Sequence, residues 1–233
     1  MEYFTIDNRK IIIDDSILSN FINSGEYGNV YRYNENQCIK IYNDKDFKIK
    51  YFLTTYLFNT LKEINSTNLF SIDELLYKDN KYKFKADAYI MKYYQEIYKN
   101  ILLMPSDYLI ENIENLFILG KELSKRHIIL DDLKKDNTIF TEDKIILIDP
   151  EHYILDKNIS KREILHINNS TISCLFNQIT LNELKKYYNN QISAIYTDKL
   201  FPVTTRSNTQ IKVLSKRLST YKSPIDYINA NRI

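Results

Sequence analysis

"LDDLKKDNTIF" (residues 130–140), followed shortly by "KIILIDPEH" (residues 144–152), is the stretch that decides how this chain reads. The polar run 131–137 is bracketed by apolar residues and reads as a loop. "NTIF" and "KIILID" are short apolar runs with turn residues between them, the pattern of a hairpin. Asp132 and Asn137 stand five residues apart, and Asp149 comes twelve further on. The loop holds the first two, and the second strand of the hairpin ends at the third. Three oxygen-donor side chains therefore converge at one end of an apolar scaffold. Solvated turns also favour Asp and Asn. Asp149, however, follows "IILI" directly, where a strand leaves the core, and an acid there points to a site. Magnesium takes such oxygen ligands, often one or two carboxylates completed by substrate phosphates.

Upstream, "SDYLIENIENLFILGKELSKR" (residues 106–126) has helical periodicity, with Ser106 placed to cap it. Leu109, Ile113, Leu116, Phe117, Leu119 and Leu123 form a broad apolar stripe that predicts burial. Beyond residue 153 the pattern is mostly helical. Before residue 92 it is β-rich. Residues 10–13 and 17–22 read as strands, "VYRYNENQCIKIY" as a hairpin turning at "NENQ", and 46–64 as a helix with Asp46 near its start. Two further strands, 70–77 and 82–91, are separated by "KDN". The expected fold is α+β in two lobes. Residues 1–92 form a β-rich lobe with one main helix, and residues 93–233 a mainly helical lobe, joined near 92–95.

The first lobe carries one unusual stretch. The chain has three glycines, and Gly25 and Gly28 both lie in "SGEYGNV" (residues 24–30), between predicted strands. Glycine permits positive φ and close backbone approach. N–H groups gathered in such a turn suit phosphate oxygens. An ordinary hairpin turn accounts for the motif equally well when it is read alone. Lys40 stands in "CIKIY". If Ile39 and Ile41 face one side of that strand, Lys40 shares the other with Cys38 and Tyr42.

Composition narrows the field. With 32 basic and 30 acidic residues the net charge is +2, which gives no electrostatic case for nucleic acid or an acidic membrane surface. No apolar run approaches the roughly 20 residues of a membrane-crossing helix. The N-terminal residues do not read as a secretion signal. A cytoplasmic protein is expected, or one exported by a specialised secretion system. Cys38 and Cys174 match no disulfide or metal spacing and fit a reducing compartment. His127, His152 and His166 lack metal-type spacing. The basic stretch 205–217 reads as a solvated helix face.

Taken in order, these features resemble the protein kinase-like superfamily. Ile22, Gly25, Gly28 and Val30 follow I-x-x-G-x-x-G-x-V, similar to the kinase Gly-rich loop, with Asn23 where the first glycine of that loop usually stands. "CIKIY" is similar to the strand bearing the ATP-anchoring lysine, with Cys38 in the usual small-residue place. "YIMKYY" resembles the hinge, with Met91 as gatekeeper and Lys92, Tyr93 and Tyr94 along the adenine edge. "KELSKRHIILDDLKKDNTIF" resembles the helix and catalytic loop. Asp149 with Pro150 and Glu151 takes the place of Asp-Phe-Gly. The resemblance covers about residues 10–155. It implies a compact bilobal kinase with a shortened helical second lobe, using ATP and Mg2+. Lys40 would contact the α- and β-phosphates. Asp132 would accept the proton of the substrate hydroxyl, and Lys134 would stabilise charge on the γ-phosphoryl. Asn137 and Asp149 would hold the metal.

The departures are specific. Leu130-Asp131 replaces the usual His-Arg, so phosphorylation of an activation loop is not expected to control activity. Pro150-Glu151 replaces Phe-Gly. No acid stands near Tyr56 or Leu57, where the helix carboxylate that pairs with the lysine is expected, and Glu63 comes late. "NNSTISCLFNQI", from Asn168, resembles the buried central helix of the second lobe, which leaves a sharply shortened activation segment and no Ala-Pro-Glu. The expected activity is transfer of the γ-phosphoryl of Mg-ATP to Ser or Thr of a protein substrate, with an activating protein partner to order the first lobe. Two alternatives stand beside it. "IDPEH" also resembles the metal motif of aminoglycoside and choline kinases, although Lys134 and the short stretch after Tyr94 speak against that group. A pseudokinase that only binds nucleotide or a partner is the third reading.

Overall fold

The computed structural model describes residues 1–25, 27–43, 53–81, 83–187 and 207–231. It is an α+β fold whose contacts divide into two compact units. The first comprises Met1–Asn65, Phe70–Tyr94 and Pro150–His152; the second comprises Ser66–Leu69, Gln95–Asp149 and Tyr153–Ile233.

The first unit is built on a five-stranded antiparallel sheet. Its strands are β3 (Phe21–Ser24), β4 (Gly28–Arg32), β5 (Gln37–Tyr42), β6 (Ile72–Leu76) and β7 (Ala88–Lys92), in the spatial order β3-β4-β5-β7-β6. A preceding hairpin of β1 (Glu2–Phe4) and β2 (Lys10–Ile12) joins the end of β6 through a bridge between Phe4 and Tyr77. Alternation along β5 sets the two faces of the sheet. Ile39 and Ile41 pack with Tyr3, Ile13, Leu76, Ala88 and Ile90 in one core cluster. Lys40 belongs to the opposite face, as its position between two inward isoleucines requires.

Residues 17–22 were expected as one strand, and the structure corrects this. Asp14 caps a short helix α1 (Asp15–Leu18), its carboxylate accepting from the Ser16 and Ile17 amides at 3.0 and 3.3 Å. The capping signal of Asp14 overrides the apolar run, and the strand begins only at Phe21. The helix expected over 46–64 is seen as α2 (Thr55–Lys62), capped by the Thr54 hydroxyl on the Leu57 amide. Residues 46–52 of that span, Asp46 included, lie outside the described residues.

The second unit centres on α3 (Ser106–Lys125) and α4 (Lys161–Tyr187), with α5 (Ser207–Leu218) packed on α3 and α6 (Pro224–Ala230) beyond it. All six stripe residues of α3 are buried, Leu109, Ile113, Leu116, Leu119 and Leu123 completely. Pro105, not Ser106, occupies the capping position of α3. Ser106 lies inside the first turn, its amide bonded to the Lys222 carbonyl at 2.9 Å. Two small antiparallel pairs complete the unit: β8 (Ile128–Ile129) with β11 (Ile154–Leu155), and β9 (Thr138–Phe140) with β10 (Ile145–Leu147). Among the described residues no helix is long and apolar enough to cross a membrane.

The two glycines of the first unit differ in why they are needed. Neither adopts positive φ, contrary to the expectation for a tight phosphate turn. Gly28 faces Tyr42 across the β4–β5 ladder, and a Cβ there would sit 2.5 Å from the Ile41 carbonyl oxygen. At Gly25 the nearest atom to an added Cβ is the Gly28 oxygen at 3.5 Å, an ordinary contact. Gly28→Ala is therefore expected to cost about 1–3 kcal/mol, as overpacking against backbone does. Gly25→Ala should stay within about 0.5 kcal/mol. Chemical denaturation of the two variants measures the difference.

Candidate functional site

The β4–β5–β7 ladder gathers most of the residues assigned to nucleotide binding on one face. Lys40 lies opposite Val30 on one side and Tyr89 on the other; Cys38 lies opposite Met91, and Gly28 opposite Tyr42. Directly opposed residues share a face of the sheet. Gly28, Val30, Cys38, Lys40 and Met91 therefore line the same side, away from the Ile39 and Ile41 core. Ile22 stands at the bulge of β3 and is exposed. Lys92 is exposed at the end of β7, and Tyr93 follows it with the Arg32 guanidinium 3.5 Å above its ring. Cys38 is buried, and desolvation pushes its thiol up to about 12, so it serves as a small apolar wall of this face.

Lys40 is itself buried, and a buried ammonium needs a negative partner. That partner is Glu151, whose carboxylate Oε1 pairs with Lys40 Nζ. The Tyr89 hydroxyl donates to the other carboxylate oxygen, Oε2, at 3.2 Å. Both side chains of the ion pair are almost wholly removed from solvent, at 4% and 0% exposure. Glu151 lies in a single 3-10 turn, Pro150–His152, and the His152 ring packs on Tyr27 beside Gly28 at 5.4 Å. Sequence reading missed Glu151 as the partner of Lys40. The available signal was an acid set between the apolar run Ile145–Leu147 and Tyr153, all of them buried. Tyr89 could have been found from the strand register that opposes it to Lys40.

In the second unit, Asp132, Lys134 and Asn137 come together. Lys134 Nζ is 2.8 Å from Asp132 Oδ2. Asn137 Nδ2 donates to the Asp132 backbone oxygen at 2.8 Å and to its Oδ2 at 3.4 Å. With Nδ2 turned to Asp132, the amide of Asn137 presents Oδ1 as its acceptor. The Asn137 carbonyl accepts the Ile148 amide at 2.9 Å, so the loop is stitched to the residue immediately before Asp149. Asp132 and Asp149 both hold left-handed backbone, φ 49 and 59. Such conformations are uncommon for non-glycine residues and concentrate at functional sites.

A buried asparagine holds the approach to this loop. Asn168 of α4 accepts the Leu130 amide at 2.8 Å, and its Nδ2 donates to the carbonyls of Ile128 and Gly120 at 3.0 and 3.2 Å. Asn112 and Asn68 do the same for the β9–β10 hairpin, bonding the Ile145 amide and carbonyl at 2.9 and 2.8 Å. The helix expected from Asn168 begins earlier, at Lys161, which leaves residues 150–160 between Asp149 and α4.

Among the described residues no group of three or more His, Cys, Asp or Glu side chains gathers as a metal site. Asn137 and Asp149 carry oxygen donors of the kind Mg2+ takes. Scanned against protein-family models the chain matches none, and no curated protein matches it.

Removing one partner of a buried ion pair typically costs about 3–5 kcal/mol, because the other charge is stranded. Lys40→Met and Glu151→Gln are each expected to destabilise the fold strongly. The double variant should lose clearly less than the sum, as read by a double-mutant cycle in urea. Cys38 should resist iodoacetamide at pH 8 in the folded protein while exposed Cys174 is alkylated, so mass spectrometry should find one label per chain.

Proposed function

We propose that the chain is a Mg-ATP-dependent phosphotransferase of the bilobal protein kinase-like type, acting on a protein hydroxyl. The observation that carries this reading is the Asp132–Lys134–Asn137 loop. The side chains of Lys134 and Asn137 both bond to Asp132, and the loop's backbone is tied to the residue just before Asp149. Phosphoryl transfer asks for positioning and charge neutralisation more than for covalent help.

In this reading Asp132 orients the acceptor hydroxyl and takes up its proton. Lys134, held beside that carboxylate, stabilises the charge of the γ-phosphoryl. Lys40 contacts the α- and β-phosphates, and Gly25 and Gly28 allow the backbone to lie close to them. Val30, Cys38 and Met91 pack against the base, and Tyr93 lies at its edge. Asn137 and Asp149 hold Mg2+, which when bound neutralises developing phosphate charge. A lysine ammonium has three donors, so pairing with Glu151 is compatible with phosphate contacts.

A protein acceptor is favoured over a small one by two features. Lys134 stands two residues after Asp132, where protein kinases of the Ser/Thr type carry lysine. Between Tyr94 and α3 there is only the short 3-10 turn Ile101–Leu103, with no inserted helical subdomain to enclose an aminoglycoside or amino alcohol. The ordered contacts of Lys40, Asp132 and Asn137 weigh against a pseudokinase.

The test is transfer of labelled γ-phosphate from ATP with Mg2+, offered the chain itself, casein, and a panel of aminoglycosides and amino alcohols. Label on protein is expected. It should fall at least ~100-fold in Asp132→Asn and Asp149→Asn, the scale of a lost general base or metal ligand. Label on a small molecule instead moves the acceptor class. Bound ATP without transfer favours a nucleotide-binding module.

A further inference from the structure

The carboxylate that pairs with Lys40 comes from an unexpected place. Helix α2, "TYLFNTLK", contains no acid, and Glu63 stands at its C-terminal cap. The pairing carboxylate belongs to Glu151 instead, on the turn Pro150–His152. Along the chain, a single residue separates Glu151 from Asp149, and that residue is proline, whose ring fixes φ. On the other side of the pair, Tyr89 on β7 grips Oε2, so the carboxylate is oriented from both ends.

We infer that Glu151 is the positioning residue for Lys40, so that the lysine's geometry is set by the Asp-Pro-Glu segment and not by helix α2. This inference rests on the phosphotransferase reading. Under it, the metal ligand and the lysine's partner lie on one short, conformationally restricted stretch. Neither waits for a helix to swing inward. The expected need for an activating partner then loses its motive, because the carboxylate that such a partner would bring into place is already paired. The ordering of Lys40 would instead follow the conformation of residues 149–151.

The experiment uses the purified full chain. Binding of a fluorescent ATP analogue and initial rates of γ-phosphate transfer to casein are measured against ATP and casein concentration. The chains compared are the wild type, Glu151→Gln, Tyr89→Phe and Glu63→Gln. Circular dichroism sets a temperature at which every variant assayed is folded. Glu151→Gln should lower kcat/KM for ATP roughly 100-fold, the scale of a misplaced contact. KM and the dissociation constant for ATP should rise while KM for casein stays unchanged, whereas loss of folded protein alone would lower the rate and leave both KM values as they were. Tyr89→Phe keeps the ion pair and should show a smaller loss in the same parameter. Glu63→Gln should match the wild type. Wild-type kinetics in Glu151→Gln, or the ATP defect appearing in Glu63→Gln, would overturn the inference while leaving the phosphotransferase reading intact. If Glu151→Gln does not fold, Tyr89→Phe decides: an ATP-specific loss supports the assignment and its absence overturns it. A wild type that neither binds nor uses ATP removes the phosphotransferase reading itself, and the inference with it.

Discussion

A lysine ammonium buried in the face of a β-sheet is tolerable only beside a negative charge. In the first unit that constraint organises the surroundings of Lys40. Glu151 supplies the charge, Tyr89 holds the far oxygen of the carboxylate, and Tyr42 and Phe70 lie at ring-centroid distances of 6.0 and 6.1 Å from Tyr89. The pair forces Pro150–His152 onto the sheet even though the chain on either side of it belongs to the other unit. A pair this deeply buried is an uncertain source of net stability, since desolvation offsets much of the attraction. In the proposed function the pair has a use of its own, which is to hold a lysine at a fixed point for phosphate.

The second unit solves a different problem by related means. A loop rich in Asp and Lys would ordinarily fray into solvent. Here buried asparagines carry its backbone bonds: Asn168 fixes Leu130 from α4, and Asn112 and Asn68 fix Ile145. Each amide has both donors and an acceptor, so one side chain can tie two or three backbone groups that no ladder satisfies. The residues left to the site, Asp132, Lys134 and Asn137, then bond among themselves, with Asp132 and Asp149 in left-handed backbone.

Much of this was legible in the sequence because it rests on periodicity. The alternation of "CIKIY" put Lys40 opposite the isoleucine core, and the stripe from Leu109 to Leu123 marked the central helix of the second unit. The "NENQ" turn and the β9–β10 hairpin followed from turn residues between apolar runs. What escaped was non-local or capping-controlled. Asp14 converted an apolar run into a helix start, and Pro105 displaced Ser106 from its expected cap. Gly28 proved necessary for close approach to the Ile41 carbonyl and not for positive φ. Glu151 escaped because its partner lies 111 residues away in the chain, and no local pattern joins the two.

The proposed activity has one requirement that precedes transfer, substrate choice and regulation, which is that the chain binds ATP through Mg2+. The most direct measurement is calorimetric titration of the purified chain with ATP, in Mg2+ and again in a chelator. The account predicts saturable one-to-one binding that weakens at least about tenfold when Mg2+ is withdrawn, the share expected of a metal bridging phosphate to Asn137 and Asp149. No saturable binding at millimolar ATP with Mg2+ present would contradict it.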